Sequence, residues 1–370
     1  MNEWRKVKLG EIIDTISDTE KIKKDKVVLI NTSDILEGKV LNHNYSDNLN
    51  LKGQFKKRFK KFDILYSEIR PNNKRFAKIN FDSDDYIAST KIMVLRKKEK
   101  IQINFDYIYL YLTSNNTIEK LQAIAEGRSG TFPQITFNEI KSLEILLPPI
   151  NLQDKITKIL SDIDKKMELN NKINNNLEEQ CITIFKKMFP QIFYGSFNVG
   201  NYLKPKRGKN LLSKNAILGD IPVVAGGLEP AIYHNKSNTQ SPVITISASG
   251  ANAGFIRLWH TPVWSSDSSY IDYSVSKYIY FWYLFLKLRQ KEIYDLQSGS
   301  AQPHIYPKHL EELSINKLDI KLIETFDEIT SNFFEKIGKN NTENNKLTNL
   351  KNYLLPKLMN GEIDIENIEL

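Results

Sequence analysis

The sequence repeats itself at a spacing of 170 residues, and this repeat limits the folds that the chain can adopt. Residues 133–189 lie over residues 303–359 without a gap, so that Pro133-Gln134-Ile135 matches Pro303-His304-Ile305. Upstream the register slips by one residue, and farther upstream the two halves do not align from sequence alone. Self-similarity on this scale indicates two similarly built halves. Each half has a variable N-terminal part and a similar C-terminal part.

The similar part is predicted to be a long helix in both halves. Seam residues recur there in alternating steps of four and three, which is the heptad spacing of a coiled coil. The first seam comprises Ile156, Leu160, Ile163, Met167, Asn170, Asn174, Leu177, Cys181, Ile184 and Met188. The second comprises Phe326, Thr330, Phe333, Ile337, Asn340, Asn344, Leu347, Lys351, Leu354 and Leu358. Prolines flank the first helix, because proline breaks a helix from inside and is tolerated at its edges.

Two asparagines occupy the same central layers of both seams. A buried seam asparagine costs stability but fixes register and pairing, so the match favours helices that pair with each other in antiparallel orientation. The alternative is two amphipathic helices that pack only on their own domains. At about 1.5 Å per residue, 33 residues of seam would form a rigid spacer of roughly 48 Å. The predicted helix-pairing residues are Asn170, Asn174, Leu177, Asn340, Asn344 and Leu347.

The predicted fold class is α+β, with two globular domains separated by two long helices that form an antiparallel coiled coil. The variable blocks contain short β-rich runs between Gly, Asn and Asp turns. Each block then ends in an aromatic helix and a Ser-Gly loop. The predicted boundaries are 1–150 for the first domain, 151–190 for the first helix, 191–320 for the second domain, and 321–370 for the second helix and tail.

Charge is concentrated in the two variable blocks. The net charge is +8, with 26 Lys+Arg against 20 Asp+Glu in residues 1–150 and 13 against 9 in residues 191–320. Basic blocks favour a polyanionic partner, although many solvated surfaces look the same. The longest apolar run, 278–286, is far shorter than the roughly 20 residues of a membrane span. With no signal peptide and one cysteine, Cys181, we expect a cytoplasmic protein without membrane contact.

The sequence contains no recognisable catalytic constellation. There is no Walker A loop, no dinucleotide-binding loop and no Asn-Pro-Pro-aromatic loop of the kind that holds a flipped base. The five histidines lack metal-ligand spacing. Asp82, Asp84 and Asp85 with Lys91 faintly resemble a nuclease cluster, but a solvated turn before a strand explains them better. We therefore predict neither a catalytic nor a metal site.

Several stretches have the composition of a DNA-reading surface. Arginine and asparagine pair in two-pronged fashion with guanine and adenine edges, while lysine mainly neutralises phosphate. The alternatives are a solvated face for the basic runs and strand-holding turns for the Ser-Gly loops. The first block supplies Lys56, Lys57, Arg58, Lys60, Lys61, Arg70, Asn72, Asn73, Lys74, Arg75, Arg128, Ser129 and Thr131. The second supplies Lys204, Lys206, Arg207, Lys209, Ser298, Ser300 and Gln302.

Four motifs resemble one known family, the specificity subunits of bacterial Type I restriction-modification systems. The opening at 4–10 resembles that family's start, and Leu147-Pro148-Pro149 resembles the entry into its first conserved helix. Residues 245–254 resemble a segment of its recognition domains, and 355–363 resemble its C-terminus. One departure is Gly195-Ser196-Phe197, which lacks the tryptophan-containing opening, so the start of the second domain is not fixed.

The resemblance implies two target-recognition domains, at 1–150 and 191–320, that read a bipartite asymmetric target in double-stranded DNA. It also implies two methyltransferase subunits that bind S-adenosylmethionine, and motor-nuclease subunits that use ATP and Mg²⁺. No cofactor is then expected on this chain, which would catalyse nothing itself. The alternatives are a single-chain methyltransferase or nuclease with an unrecognised active site, and a scaffold that does not bind DNA.

Overall fold

The computed structural model describes residues 4–49, 51, 53–127, 132–299 and 303–365. It divides into two compact units. The first unit comprises Met1–Lys165 and Leu347–Leu370, and the second comprises Lys166–Lys346. The first unit is therefore assembled from two segments that lie far apart in the sequence.

The first unit contains most of the strands. They are β1 (Arg5–Lys8), β2 (Ile13–Ile16), β3 (Lys26–Ile30), β4 (Ile35–Leu36), β5 (Lys39–Val40), β6 (Tyr45–Asp47), β7 (Phe55–Arg58), β8 (Ile64–Ser67), β9 (Phe76–Lys78), β10 (Tyr86–Ser89), β11 (Ile92–Lys97) and β12 (Glu144–Leu147). The helices are α1 (Leu9–Ile12), α2 (Phe105–Leu112), α3 (Asn115–Glu126), α4 (Phe137–Ser142) and the start of α5 (Ile150–Met188).

Strand β11 separates two hydrophobic cores in the first unit. Its side chains alternate between faces, as the two-residue period of a strand requires. Met93 and Leu95 pack in one core with helices α2 and α3, and Ile92 and Val94 pack in the other. The two four-stranded sheets run β2-β11-β8-β9 and β6-β3-β10-β7, while β1 pairs with β12.

The second unit begins within α5 and ends within α9. Its strands are β13 (Phe197–Asn198), β14 (Lys206–Arg207), β15 (Ile221–Val224), β16 (Ile232–His234), β17 (Val243–Ser247), β18 (Ile256–Trp259), β19 (Trp264–Ser265), β20 (Ser268–Ile271) and β21 (Ser314–Ile315). Its helices are α6 (Ile279–Lys287), α7 (Gln290–Asp295), α8 (Pro307–Glu311) and most of α9 (Ile320–Met359). The sheets run β14-β20-β17-β18 and β16-β15-β19, and β13 pairs with β21.

The longest apolar run of the sequence forms α6, which is buried from Ile279 to Leu286. Cys181 and Phe185 of α5 pack in the same core. Burial raises the pKa of the Cys181 thiol to about 12, which suits a packing role for this side chain. No helix among the described residues is long and apolar enough to cross a membrane.

Helices α5 and α9 pair in antiparallel orientation, as the seam predicts. In the second unit Asn170 Nδ2 donates to Asn344 Oδ1 at 2.9 Å, and Asn340 Nδ2 donates to Asn174 Oδ1 at 2.7 Å. Asn170, Asn174 and Asn340 are buried, and Leu177 and Leu347 are half-buried. The predicted α+β fold with antiparallel helices is confirmed. Each helix also packs on a hydrophobic core in both units. The alternative of helices that pack only on their own domains is therefore wrong.

The repeat extends farther upstream than the sequence alignment reaches. The sheet β2-β11-β8-β9 has the same strand order and antiparallel pairing as β14-β20-β17-β18. In the first sheet Tyr66 pairs with Phe76, and in the second Ile246 pairs with Ile256, so the same ten-residue separation recurs. Strand pairs β1-β12 and β13-β21 also correspond. Both variable blocks are therefore built on one framework, and they differ in their additional sheets.

Candidate nucleic-acid interface

The repeated proline segments and the ends of two central strands meet at one corner in each unit. We define the first corner as residues 68–70, Lys91 and 133–135, and the second corner as residues 248–250, Asp267 and 303–305. Each corner joins the end of a strand, β8 or β17, to the repeated proline segment. Each corner lies wholly within its own unit.

The backbone hydrogen bonds of the first corner recur in the second. Arg70 N donates to Pro133 O, and Ile135 N donates to Glu68 O, at 3.0 and 2.8 Å. The matching bonds of the second corner join Gly250 N to Pro303 O and Ile305 N to Ala248 O, at 3.0 and 2.9 Å. A further bond ties each corner to the neighbouring strand, from Glu68 N to Lys91 O and from Ala248 N to Asp267 O, at 2.9 and 3.1 Å.

Arg70 occupies the position that Gly250 occupies in the other unit, and both have left-handed backbone, with φ of +44° and +81°. Glycine adopts this conformation without strain, whereas other L-residues are destabilised by about 1–2 kcal/mol. Strained residues that persist often have a functional role. The exposed Arg70 guanidinium lies 5.7 Å from the centre of the Phe132 ring, which is 60% exposed. The first corner therefore presents a planar cation supported by an aromatic ring.

The second corner presents an acid–arginine pair in place of Arg70. Arg207 Nη2 lies 2.5 Å from Asp267 Oδ1. The Ser249 hydroxyl donates to the other carboxylate oxygen of Asp267. In the first corner the residue that corresponds to Asp267 is Lys91, whose ammonium lies 3.2 Å from Gln134 Oε1. Matched backbone positions therefore carry opposite charge in the two units.

The turn after Arg70 holds two exposed asparagines at the surface. Residues Pro71–Asn73 form a short 3-10 turn, and Asn72 N donates to the Gln122 Oε1 of helix α3 at 3.1 Å. Both Asn72 and Asn73 are exposed. The next two predicted DNA-binding residues, Lys74 and Arg75, contact their own unit. Lys74 Nζ lies 3.3 Å from Glu37 Oε1, and Arg75 Nη1 lies 2.9 Å from Ser33 O.

In the predicted basic run 56–61, some side chains are exposed and others contact residues of the same unit. Lys56, Lys60 and Lys61 are exposed. The Lys57 ammonium donates to Thr90 O and Ile92 O at 2.8 Å each, and burial lowers its pKa. Arg58 Nη1 lies 2.9 Å from Glu20 Oε2. The side chains of Lys57 and Arg58 thus contact their own unit, while the other three face solvent.

In the second unit the predicted cluster 204–209 contacts the second corner through Arg207. Lys206 Nζ donates to Ser274 Oγ at 2.9 Å, Arg207 contacts Asp267, and Lys204 and Lys209 are exposed. Ser298 bonds back to His304 across the Ser-Gly loop. Five predicted DNA-binding residues lie outside the described residues, namely Arg128, Ser129, Thr131, Ser300 and Gln302.

Sequence analysis did not identify Ser249 and Asp267 as site residues. Ser249 falls within the family-like segment 245–254, so this signal pointed to its neighbourhood. Nothing in the sequence marked Asp267, because an isolated acidic residue in a serine-rich stretch is also typical of an ordinary surface turn. Among the described residues, no group of three or more His, Cys, Asp or Glu side chains could hold a metal ion.

Comparison with known families agrees with this architecture. Residues 1–179 match the model of the Type I restriction modification DNA specificity domain. The matched residues, just under half of the chain, are similar to that family. The resemblance to Type I specificity subunits that the sequence motifs suggest is confirmed. Asp267 and the second corner lie beyond the matched residues.

Two curated Type I specificity subunits resemble the chain over different extents. The Type I restriction enzyme HindI specificity subunit of Haemophilus influenzae is 43% identical over 190 residues, which are 51% of this chain and 41% of that protein. The match therefore spans less than half of that relative. A putative type I specificity subunit of Mycoplasma genitalium is 24% identical over 279 residues, or 70% of this chain and 72% of the relative.

A solved structure shares the fold. The crystal structure of the Type I restriction-modification system S subunit from M. genitalium matches with a TM-score of 0.59 and 20% sequence identity. The match covers 96% of each chain. At this identity the likeness concerns the fold alone.

Proposed function

We propose that the chain is the specificity subunit of a Type I restriction-modification complex and reads a bipartite, asymmetric target in double-stranded DNA. One observation carries this proposal: two units repeat the same corner backbone but present different charged groups there. Base edges are distinguished by the donors and acceptors that meet them. A framework used twice with unlike side chains is suited to reading two unlike half-sites.

The proposal includes the partners that the family resemblance implies. Two methyltransferase subunits would bind S-adenosylmethionine, motor-nuclease subunits would use ATP and Mg²⁺, and this chain would bind no cofactor and act in the cytoplasm. The relatives are named as specificity subunits rather than as enzymes, which agrees with a non-catalytic role. Purified chain given S-adenosylmethionine or Mg²⁺ should neither methylate nor cleave its selected duplex. Either product would favour the single-chain enzyme.

The target can be found by selecting duplexes from a random library with the purified full chain. We expect two short conserved elements separated by base pairs of no preference. Inserting or deleting two base pairs in that gap should sharply weaken binding, because each pair rotates the second element by about 35°. A single contiguous element, or affinity that ignores gap length, would contradict the two-reader proposal. A chain with no affinity for duplex DNA would favour the scaffold alternative.

Lys56 and Lys57 provide a matched pair for testing phosphate contact. Lys56→Ala should weaken binding to all duplexes alike and reduce the salt slope by about 1, because lysine releases counterions without reading bases. Lys57→Ala should instead lower thermal stability, since its ammonium bonds two carbonyls of the same unit. Equal losses of affinity with unchanged stability would show that Lys57 also faces the DNA.

A further inference from the structure

We propose that Arg207 reads a base edge of the second half-site and that Asp267 and Ser249 are the residues that position it. This inference rests on the proposed function and adds the specificity-determining group of the second unit. It distinguishes a base-reading residue, Arg207, from the lysines of the basic cluster 204–209, which composition alone does not do.

The Arg207 side chain is held while remaining at the surface. The Asp267 carboxylate uses one oxygen for Arg207, at 2.5 Å, and the other to accept the Ser249 hydroxyl. The side chains of Arg207 and Asp267 are 39% and 34% exposed, so the pair is reachable from solvent. Because Ser249 fixes the carboxylate, the carboxylate can hold the Nη2 group of Arg207 in place.

The backbone on either side of this contact is also constrained. Arg207 pairs with Ser269 across strands β14 and β20, and Gly208 N donates to Ser268 O at 2.8 Å. A Cβ atom at Gly208 would lie 2.5 Å from Ser265 O. The residue that follows strand β14 therefore packs against the neighbouring backbone with no space for a side chain. Arg207 therefore extends from a fixed backbone.

The orientation leaves donors for a ligand. Within the part of the chain that the structure describes, Asp267 is the side chain to which the Arg207 guanidinium donates, through Nη2. Its Nε and Nη1 groups make no hydrogen bond with those residues, and Nη2 keeps a second N–H, so one two-donor edge of the guanidinium, Nη2 with Nε or with Nη1, stays available. A guanidinium presents its donors in a planar fork that matches O6 and N7 of guanine. A group that is already oriented loses less conformational entropy on binding, which sharpens discrimination.

The Asp267 carboxylate is better suited to positioning Arg207 than to raising the affinity for DNA. An exposed acid on a surface that meets phosphates opposes binding by repulsion. Its pairing with Arg207 leaves the local charge neutral, so the pair contributes little to general attraction. Lys204, which is exposed, is the better phosphate contact. The equivalent position of the first corner holds Lys91, so this acid–arginine device is specific to the second unit.

The test uses the purified full chain and a duplex library randomised in the second element. Arg207→Lys keeps the charge but loses the planar fork, so it should reduce preference at one base pair of that element by about tenfold to a hundredfold. Asp267→Asn should reduce the same preference less, and Ser249→Ala less again. Preference at the first element should not change, which also shows that each variant is folded. Lys204→Ala is the matched control and should weaken all duplexes alike.

The outcomes separate the inference from the proposed function. Arg207→Lys binding with the parent's preference at every position of the second element overturns the inference and leaves the proposed function standing. Asp267→Asn that binds all duplexes more tightly with an unchanged preference also overturns it, because the acid is then merely repulsive. A parent chain that selects no sequence overturns both proposals.

Discussion

The two units share a backbone framework and differ in the side chains that it presents. The first corner combines Arg70 on a strained backbone with Lys91, whereas the second combines relaxed Gly250 with Asp267, which contacts Arg207 of strand β14. Hydrogen bonds between main-chain atoms do not depend on side-chain identity, so they can remain the same while the side chains at the surface differ. The comparison shows that one framework can present side chains of opposite charge at the same position.

The largest expected effect concerns two contacts between α5 and α9: a buried asparagine pair in the second unit and a partly exposed ion pair in the first. Asn174→Ala leaves Asn340 Nδ2 unpaired in a buried layer and should cost about 1–3 kcal/mol of unfolding free energy. Lys351→Met breaks an ion pair with Asp164 that is partly exposed, so it should cost about 0–1 kcal/mol. Urea unfolding measures both.

The double variant Asn174→Leu/Asn340→Leu is the control for that experiment. It removes both buried partners together and should be nearly neutral or stabilising, because the one acceptor that loses its donor, Asn341 Oδ1, belongs to an exposed residue and can bond to water. A double variant as unstable as Asn174→Ala would show that packing, not hydrogen bonding, sets the cost of this layer.

A smaller effect should be measured at the equivalent left-handed positions. Gly250→Ala should cost about 1 kcal/mol through backbone strain alone, since a Cβ there would meet nothing within 4 Å. At Arg70 the glycine variant should be more stable than the alanine variant by a similar amount. Thermal unfolding of the four proteins tests this. If glycine were more stable than alanine at one position and less stable at the other, the two corners would not be structurally equivalent.

The smallest effect is a pH dependence confined to the second unit. Burial raises the pKa of Asp327 to about 7, so between pH 4 and 7 the folded state holds a proton that the unfolded chain has released. Stability therefore falls as pH rises from 4 to 7 and is level above 7. Asp327→Asn should stabilise the protein at pH 8 by about 1 kcal/mol, after allowance for partial exposure, and do little at pH 4. Hydrogen exchange within residues 166–346 measures the change. Equal stabilisation at both pH values would exclude titration as its cause.

The same unit should also weaken in acid, for a different reason. Burial lowers the pKa of His260 to about 4, so below pH 6.5 the unfolded chain binds a proton that the folded chain does not. Stability therefore decreases as pH falls from 6.5 towards 4.

The helices were predictable because their periodicity is written directly in the sequence. The seam from Ile156 to Met188 repeats every seven residues, and each asparagine layer has its counterpart 170 residues later. The shared sheet was not predictable. Strand β8 corresponds to β17 at a spacing of 180 residues rather than 170, because insertions of different length separate the equivalent strands.

The site was predictable only in part. Arg70 stood out by residue type, but its equivalence to Gly250 depends on backbone conformation, which no alignment of arginine with glycine suggests. Lys57 resembled its basic neighbours, and only its contacts with Thr90 O and Ile92 O distinguish it. Sequence patterns identify which chemistry is present, whereas burial determines which groups remain available.

The division of the first unit between distant segments has a consequence for synthesis on the ribosome. Residues 166–346 are contiguous, so the second unit can fold as soon as it has emerged. The first unit starts earlier but lacks Leu358, Met359 and Ile365, which are buried in its core with Leu152 and Ile156. Until those residues are made, the nascent chain exposes an apolar groove along the start of α5. The half that is translated first is thus the half that is completed last, and its apolar surface stays exposed for longest.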